Sequence, residues 1–84
     1  MVELHVFHSK QCGLCHEQIK VLKLWKPPVP VLLIDVDKLP DYEKAANIEG
    51  TPTTVILQNK KEVHRFVGLT SAPPMQVVIN QLIY

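Results

Sequence analysis

The feature that most constrains this chain is a pair of cysteines three residues apart, in the segment Cys12-Gly13-Leu14-Cys15. The segment follows an apolar run that is typical of a buried strand, and it precedes a helical pattern. Residues i and i+3 are neighbours on one turn of a helix. Their Cα atoms then lie within the separation of roughly 4.4–6.8 Å that a disulfide needs. The pair can therefore open and close with little movement of the backbone, as a redox centre requires.

Length and composition limit the class of protein. A chain of 84 residues suffices for one domain, and we expect residues 1–84 to form it. A net charge of +1 without a basic cluster argues against a nucleic-acid partner. No apolar run approaches the ~20 residues of a membrane span, and the N-terminus has no signal-peptide pattern. We therefore expect a cytoplasmic protein. In that reducing compartment, a pair of cysteines indicates catalysis or metal binding rather than a structural disulfide.

The order of apolar runs and breakers predicts an α/β fold with the element order β-α-β-α-β-β-α. The predicted strands are residues 2–7, 31–34, 52–57 and 62–67, and the predicted helices are residues 12–25, residues 41–47 and a last helix capped by Thr70 or Ser71. The first connection is a helical crossover, so strands one and two should be parallel. The last two strands should form a hairpin. The result is a four-stranded mixed sheet flanked by three helices.

Two apolar patterns indicate how these elements are buried. In the first helix, the apolar stripe consists of Cys15, Ile19, Leu22 and Trp25, at spacings of four, three and three. This stripe places the second cysteine on the inner face of the helix. The run 31–34 is apolar throughout, which is typical of a strand covered on both faces.

Three motifs in a fixed order carry a family resemblance. The CxxC segment lies between the first strand and the first helix, residues 50–57 (GTPTTVIL) are similar to a cis-proline turn and its following strand, and residues 62–68 (EVHRFVG) are similar to a final strand and glycine. Together they resemble the thioredoxin superfamily over nearly the whole chain. The resemblance implies the minimal thioredoxin fold, without the extra N-terminal strand and helix of ordinary thioredoxins and nearer in length to glutaredoxins.

The resemblance implies a thiol–disulfide oxidoreductase, a small electron carrier that reduces protein disulfides. Its catalytic residues are Cys12 and Cys15, which cycle between a dithiol and a redox-active disulfide, with no bound cofactor or metal. The N–H groups at the helix N-terminus favour the thiolate of Cys12. Cys15 lies one turn deeper and should stay protonated until it attacks Cys12.

Five residues should line the substrate site: Gly13, Leu14, Thr51, Pro52 and Gly68. The resemblance implies a cis Thr51–Pro52 bond that faces the sulfurs and offers the backbone of Thr51 to a bound peptide. Gly68 would give the substrate backbone room to approach. Gly13 and Leu14 tune the geometry and exposure of the helix start, and Leu14 should belong to an apolar docking patch.

The chain departs from the thioredoxin pattern close to the cysteines. Gln11 stands where ordinary thioredoxins carry a tryptophan, and Val6 stands where they bury an aspartate. The lysine that pairs with that aspartate has no evident counterpart. Proton transfer at Cys15 must then use another group or water, and His8 and His16 are candidates by their proximity in sequence.

The expected partners follow from the resemblance. The Gly-Gly and acidic pair that glutaredoxins use for glutathione is absent, because residues 68–71 read Gly-Leu-Thr-Ser. We therefore expect disulfide-containing protein substrates, a thioredoxin-reductase-like flavoenzyme rather than glutathione as reductant, and a monomer. Three alternatives stay open: a glutathione-dependent glutaredoxin, an adaptor whose cysteines are incidental, and a metal-binding module with the ligands His5, His8, Cys12 and Cys15.

Overall fold

The computed structural model describes all residues from Met1 to Tyr84, and its elements follow the predicted order. The strands are β1 (Val2–His8), β2 (Val31–Asp35), β3 (Thr53–Gln58) and β4 (Lys61–Val67), and the helices are α1 (Gly13–Trp25), α2 (Pro40–Ala45) and α3 (Ala72–Ile83). None of these helices has the length and apolar character needed to cross a bilayer.

The four strands form one mixed sheet in the order β2-β1-β3-β4. β1 and β2 are parallel, as the helical crossover predicts, whereas β3 is antiparallel to both β1 and β4. The predicted fold, a four-stranded mixed sheet flanked by three helices, is confirmed. Because β1 and β3 are neighbours and antiparallel, the segments that follow β1 and precede β3 meet at one end of the sheet.

Alternation along the strands divides the apolar core into two layers. The layer covered by α1 and α3 contains Val2, Leu4, Val6, Leu22, Ile56, Met75 and Ile79. The layer on the other face, covered by α2, contains Phe7, Ile34, Val36, Val55 and Leu57. Successive side chains of a strand point to opposite faces, so β1 and β3 contribute to both layers.

Helix α1 buries a different stripe from the one predicted. Its buried residues are Cys15, Gln18 and Leu22, while Ile19 and Trp25 are only half-buried. The prediction was right for Cys15 and Leu22 but missed Gln18, because a glutamine scores as polar in any apolar pattern. Trp25 packs at the end of the helix against the core that α1 and α3 share.

Strand β2 is not covered on both faces, so that expectation was wrong. It is an edge strand, paired only with β1. Leu32 is 43% exposed and Leu33 is 48% exposed, and alternation places them on opposite faces of the sheet. Of the residues in the apolar run 31–34, only Ile34 is buried, and it packs in the core layer that contains Phe7 and Val36.

Arg65 of β4 anchors the end of α2. Its guanidinium donates to the carbonyl oxygens of Ala46 and Asn47 at 2.6 and 3.0 Å and to the carboxylate of Glu62 at 2.7 Å. The last carbonyls of a helix have no partner within the helix, so Arg65 supplies one. The hydrogen bond from Arg65 lowers the pKa of Glu62, and the same bond raises the pKa of Arg65.

Candidate active site

Cys12 is the N-cap of α1 rather than its first residue. Its backbone is extended, with φ −107° and ψ 105°, and its Sγ accepts a hydrogen bond from the backbone N–H of Cys15 at 3.1 Å. A helix N-terminus presents unpaired N–H groups that a capping side chain satisfies. Here the capping atom is sulfur, so the N–H of Cys15 points at the position where a Cys12 thiolate carries its charge.

Cys12 and Cys15 are joined as a disulfide, with their Cα atoms 5.2 Å apart. The two residues differ in exposure: Cys15 is 1% exposed, whereas Cys12 is half-buried. Gly13 and Leu14, between them, are exposed. The outer sulfur is therefore the one within reach of a partner, and the inner one lies against the protein interior.

The Thr51–Pro52 peptide bond is cis, as the resemblance implied. The carbonyl oxygen of Thr51 lies 3.5 Å from Sγ of Cys12. The carbonyl oxygen of Pro52 accepts a hydrogen bond from the N–H of Gly68 at 2.8 Å. Three segments that are far apart in the sequence, around residues 12, 51 and 68, therefore meet at one end of the sheet.

Gly68 follows β4 and has φ +85°, a conformation that side chains other than glycine rarely adopt. A Cβ atom built there would meet no protein atom within 4 Å. The backbone conformation therefore calls for glycine at this position, and the space in front of it is open. Gly13 also has open space around its missing side chain.

A second cluster of titratable side chains lies on the other face of the sheet. Nδ1 of His5 is 2.6 Å from the hydroxyl oxygen of Tyr42. Nε2 of His5 is 3.3 Å from a carboxylate oxygen of Glu3, but the two groups are not aligned for a hydrogen bond. Burial raises the pKa of Tyr42, and the charges of Glu3 and Glu62 raise it further. This cluster sits under α2 and makes no hydrogen bond to either cysteine.

The four residues of the metal-binding alternative are not brought together. His5 is turned toward Tyr42, while Cys12 and Cys15 are bonded to each other at the start of α1. No three or more histidine, cysteine, aspartate or glutamate side chains gather as a potential metal site.

The two histidines considered for proton transfer differ in position. His8, at the end of β1, is half-buried, and His16, in the first turn of α1, is exposed. Neither side chain makes a hydrogen bond within the protein. A role for either at Cys15 remains a prediction.

Sequence reasoning missed two buried polar groups on the α1 face of the sheet. One is the side chain of Gln18, in the helix turn after Cys15. The other is the hydroxyl of Thr54, which is buried without a hydrogen-bond partner and lies opposite Val6 in the β1–β3 pairing. No periodicity signals either group, because threonine is common in strands and a lone glutamine is common in helices.

The fold and the site define a class: a thioredoxin-fold protein with a CxxC disulfide at the start of its first helix, opposite a cis-proline. The thioredoxin family model matches residues 3–81. The chain belongs to the thioredoxin family. Family and disulfide together support thiol–disulfide oxidoreductase function.

Curated relatives share about a third of their aligned residues with this chain. Thioredoxin from Chlamydia trachomatis is 32% identical over 78 residues, covering 89% of this chain and 76% of that protein. Thioredoxin H4-2 from Oryza sativa subsp. japonica is 32% identical over 79 residues, covering 90% of this chain and 59% of that protein. The chain thus spans only part of the length of these relatives.

Solved structures show the same fold. A point mutant of a thioredoxin from Halobacterium salinarum superposes with a TM-score of 0.87 at 27% identity, covering 95% of this chain and 73% of that one. A malarial protein superposes with a TM-score of 0.82 at 23% identity, covering 100% of this chain and 99% of that one. The second likeness shows the fold alone.

Proposed function

We propose that this chain is a small electron carrier that reduces protein disulfides through a Cys12/Cys15 dithiol–disulfide cycle, with residues 1–84 acting as one domain. The observation that carries the proposal is the arrangement of the two sulfurs. The sulfur of Cys12 caps α1 and is half-buried, while its bonded partner Cys15 is 1% exposed. This difference in exposure supports a cycle in which the outer sulfur attacks the substrate and the inner sulfur releases it.

The cycle starts from the reduced form. The Cys12 thiolate attacks one sulfur of the substrate disulfide; that S–S bond breaks, and the departing substrate sulfur takes up a proton. Cys15 then loses its proton and attacks Sγ of Cys12, which releases the second substrate thiol and closes the Cys12–Cys15 disulfide. Two electrons and two protons pass to the substrate. The N–H of Cys15 stabilises the negative charge of the Cys12 thiolate that attacks the substrate.

The proposed substrate groove runs between the start of α1, the cis-proline turn and the residue that follows β4. Gly13 and Leu14 form its exposed helical side, Thr51 and Pro52 its floor, and Gly68 its far wall. The 3.5 Å between Sγ of Cys12 and the carbonyl of Thr51 supports this arrangement, as does the open space at Gly68. An extended substrate segment beside Thr51 could pair with its backbone as an added strand does.

The proposed partners are disulfide-containing proteins as substrates and a thioredoxin-reductase-like flavoenzyme as the reductant that resets the disulfide. The cycle needs no bound cofactor, because the Cys12–Cys15 pair itself carries the two electrons. We propose that the chain acts as a monomer in the cytoplasm, since a reductase cycle depends on a reducing compartment.

Insulin reduction tests the proposed activity. With dithiothreitol as electron source, the wild type should accelerate precipitation of the insulin B chain, and Cys12→Ser should abolish the acceleration. Cys15→Ser should instead accumulate mixed disulfides, which identify the substrates when trapped. No acceleration by the wild type, or undiminished acceleration by Cys12→Ser, would refute the proposal. Replacing dithiothreitol with thioredoxin reductase and NADPH, or with glutathione, then distinguishes the two reductants.

A further inference from the structure

Gln18 is a fully buried polar side chain in the helix that carries the cysteines. It is 0% exposed and lies on the inner face of α1, between Cys15 and Leu22. Burying an amide costs free energy unless its donor and its acceptor are both paired. The neighbours of Gln18 along the inner face are a cysteine and a leucine, so its partners must come from another segment.

The carboxamide of Gln18 pairs with a single residue of the β4–α3 loop. Nε2 donates to the carbonyl oxygen of Thr70 at 2.9 Å, and Oε1 accepts from the N–H of Thr70 at 2.8 Å. Both bonds together fix which end of the amide is nitrogen, because the flipped side chain would face donor to donor and acceptor to acceptor. The side chain of Gln18 thus pairs with the loop backbone through one donor and one acceptor, as a residue of a neighbouring strand would.

The same loop has a second anchor at its other end. The N–H of Gly68 donates to the carbonyl oxygen of Pro52 at 2.8 Å, and the hydroxyl of Thr70 donates to the carbonyl of Gly68 at 3.1 Å. Leu69, between the two anchors, is exposed. The loop therefore bridges the cis-proline turn and the redox helix, and its position depends on the amide of Gln18.

We propose that Gln18 is a positioning residue that holds residues 68–70 in place as one wall of the groove for protein substrates. The inference rests on the proposed function. Neither hydrogen bond of the Gln18 side chain involves a sulfur atom, so its effect should fall on substrate binding rather than on disulfide exchange at Cys12. A small disulfide that reaches Cys12 from solvent does not need this wall, whereas an extended protein segment does.

The test compares a large and a small substrate in the variant Gln18→Leu, which keeps the side chain's size and removes both hydrogen bonds. We expect KM for insulin to rise about 5- to 10-fold with kcat within about 2-fold, the pattern of lost uniform binding. The rate with 5,5′-dithiobis(2-nitrobenzoic acid) should stay within about 2-fold of the wild type. An equal loss with both substrates, or no loss with either, would overturn the inference.

Gln76→Leu is the matched control. Gln76 of α3 accepts a hydrogen bond from Nε1 of Trp25 at 2.8 Å, at the end of α1 that is remote from the cysteines. The same substitution there also removes a side-chain bond between α1 and another segment, but it should leave the rates with both substrates unchanged. A wild type that reduces neither substrate would contradict the proposed function, whereas an active wild type with an unchanged Gln18→Leu contradicts only this inference.

Gln18→Glu tests the hydrogen-bond pattern itself and serves also if Gln18→Leu does not fold. A protonated carboxyl keeps one donor and one acceptor in the same shape, whereas a carboxylate can only accept. For Gln18→Glu, we divide the insulin rate by the small-disulfide rate and compare the quotient with that of the wild type at the same pH. As the pH is lowered, the quotient of the variant should rise toward that of the wild type. The same low quotient in Gln18→Glu and Gln18→Leu at every pH would overturn the inference.

Discussion

Cys12 and Cys15 differ in exposure although they share one turn of helix. The outer sulfur caps α1 and receives the N–H of Cys15, whereas Cys15 is 1% exposed on the inner stripe. The same helical spacing that brings the two sulfurs together thus also separates their environments. In the proposed cycle, this asymmetry lets Cys12 start the exchange and Cys15 complete it.

Alkylation of the reduced protein measures this asymmetry. Iodoacetamide reacts with thiolates, and a free cysteine is half ionised only near pH ~8.5. Cys12 in the variant Cys15→Ser should therefore be alkylated well below that pH, at least about 10-fold faster than Cys15 in the variant Cys12→Ser. Mass spectrometry of quenched samples gives both rates. Equal rates would contradict the assigned division of roles.

The hydroxyl of Thr54 gives a second prediction at this scale. It is buried without a partner, and such a group costs about 1–3 kcal/mol. Thr54→Val removes the hydroxyl and keeps the branched shape, so the free energy of unfolding in urea should rise by about 1 kcal/mol.

Thr53→Val is the control for Thr54→Val. The hydroxyl of Thr53 donates to the carbonyl of Gly50 at 2.7 Å. Its loss should lower the stability, because it leaves that carbonyl without its partner. A loss of stability in Thr54→Val as well would show that its hydroxyl is hydrogen-bonded, through water for example.

Among the elements, α2 depends most on side chains from elsewhere. It has only the residues Pro40–Ala45, none of them buried, and no side chain caps its N-terminus. Arg65 holds its C-terminal end, and Tyr42 packs against the buried Phe7. The segment after α2 leads to Gly50 and the cis-proline turn, so this anchor supports one side of the candidate site.

The ion pair of Glu62 and Arg65 predicts a pH dependence. The pKa of Glu62 is lowered by the hydrogen bond from Arg65, so the pair contributes stability above pH 4.5 and loses it as the pH falls through the folded-state pKa. Glu62→Gln should therefore be less stable than wild type at pH 7, and the difference should be smaller at pH 3. Because the side chains are 40% and 26% exposed, we expect only about 0.5 kcal/mol in urea unfolding.

Glu17→Gln is the control for this titration. Glu17 and Lys20 form a pair of the same i,i+3 spacing on the solvent side of α1. Such exposed pairs contribute little, so this variant should track the wild type at both pH values. A Glu62→Gln difference that is the same at pH 7 and pH 3 would contradict the prediction.

Over the whole molecule, the fold was predictable from the sequence because each element has its own local signal. Proline and glycine mark the ends of the elements, and the helical crossover sets the parallel β1–β2 pair. Features that depend on neighbours were not predictable. The run 31–34 carries no sign that β2 is an edge, and nothing local shows that Gln18 would find its partner at Thr70, 52 residues away.

In the candidate site, too, features with a local signal were predictable and features that depend on packing were not. The CxxC spacing predicted the disulfide, and the family resemblance predicted the cis bond at Pro52. The capping role of the Cys12 sulfur depends on where α1 begins, and that boundary differs by one residue from the predicted start. The open space before Gly68 follows from the packing of three segments, so no single stretch of sequence contains it.

The free edge at β2 gives a prediction about the behaviour of the whole molecule. An edge strand with unpaired backbone groups and exposed apolar side chains is a template for pairing with another chain, and natural edges are commonly protected by charge. Residues 31–34 carry no charge, and Leu33 is 48% exposed beside Ile19 and Lys23. Leu33→Lys should therefore raise the highest protein concentration at which a heated solution shows no increase in light scattering. It should leave insulin reduction unchanged.

The opposite edge of the sheet supplies the control. Val63 of β4 is also exposed, but β4 already carries Lys61, Glu62, His64 and Arg65. An added charge there changes an edge that is already protected, so Val63→Lys should alter the scattering little. An equal gain from both variants would show that net charge, rather than the uncharged stretch 31–34 of β2, governs association, because both substitutions add one positive charge.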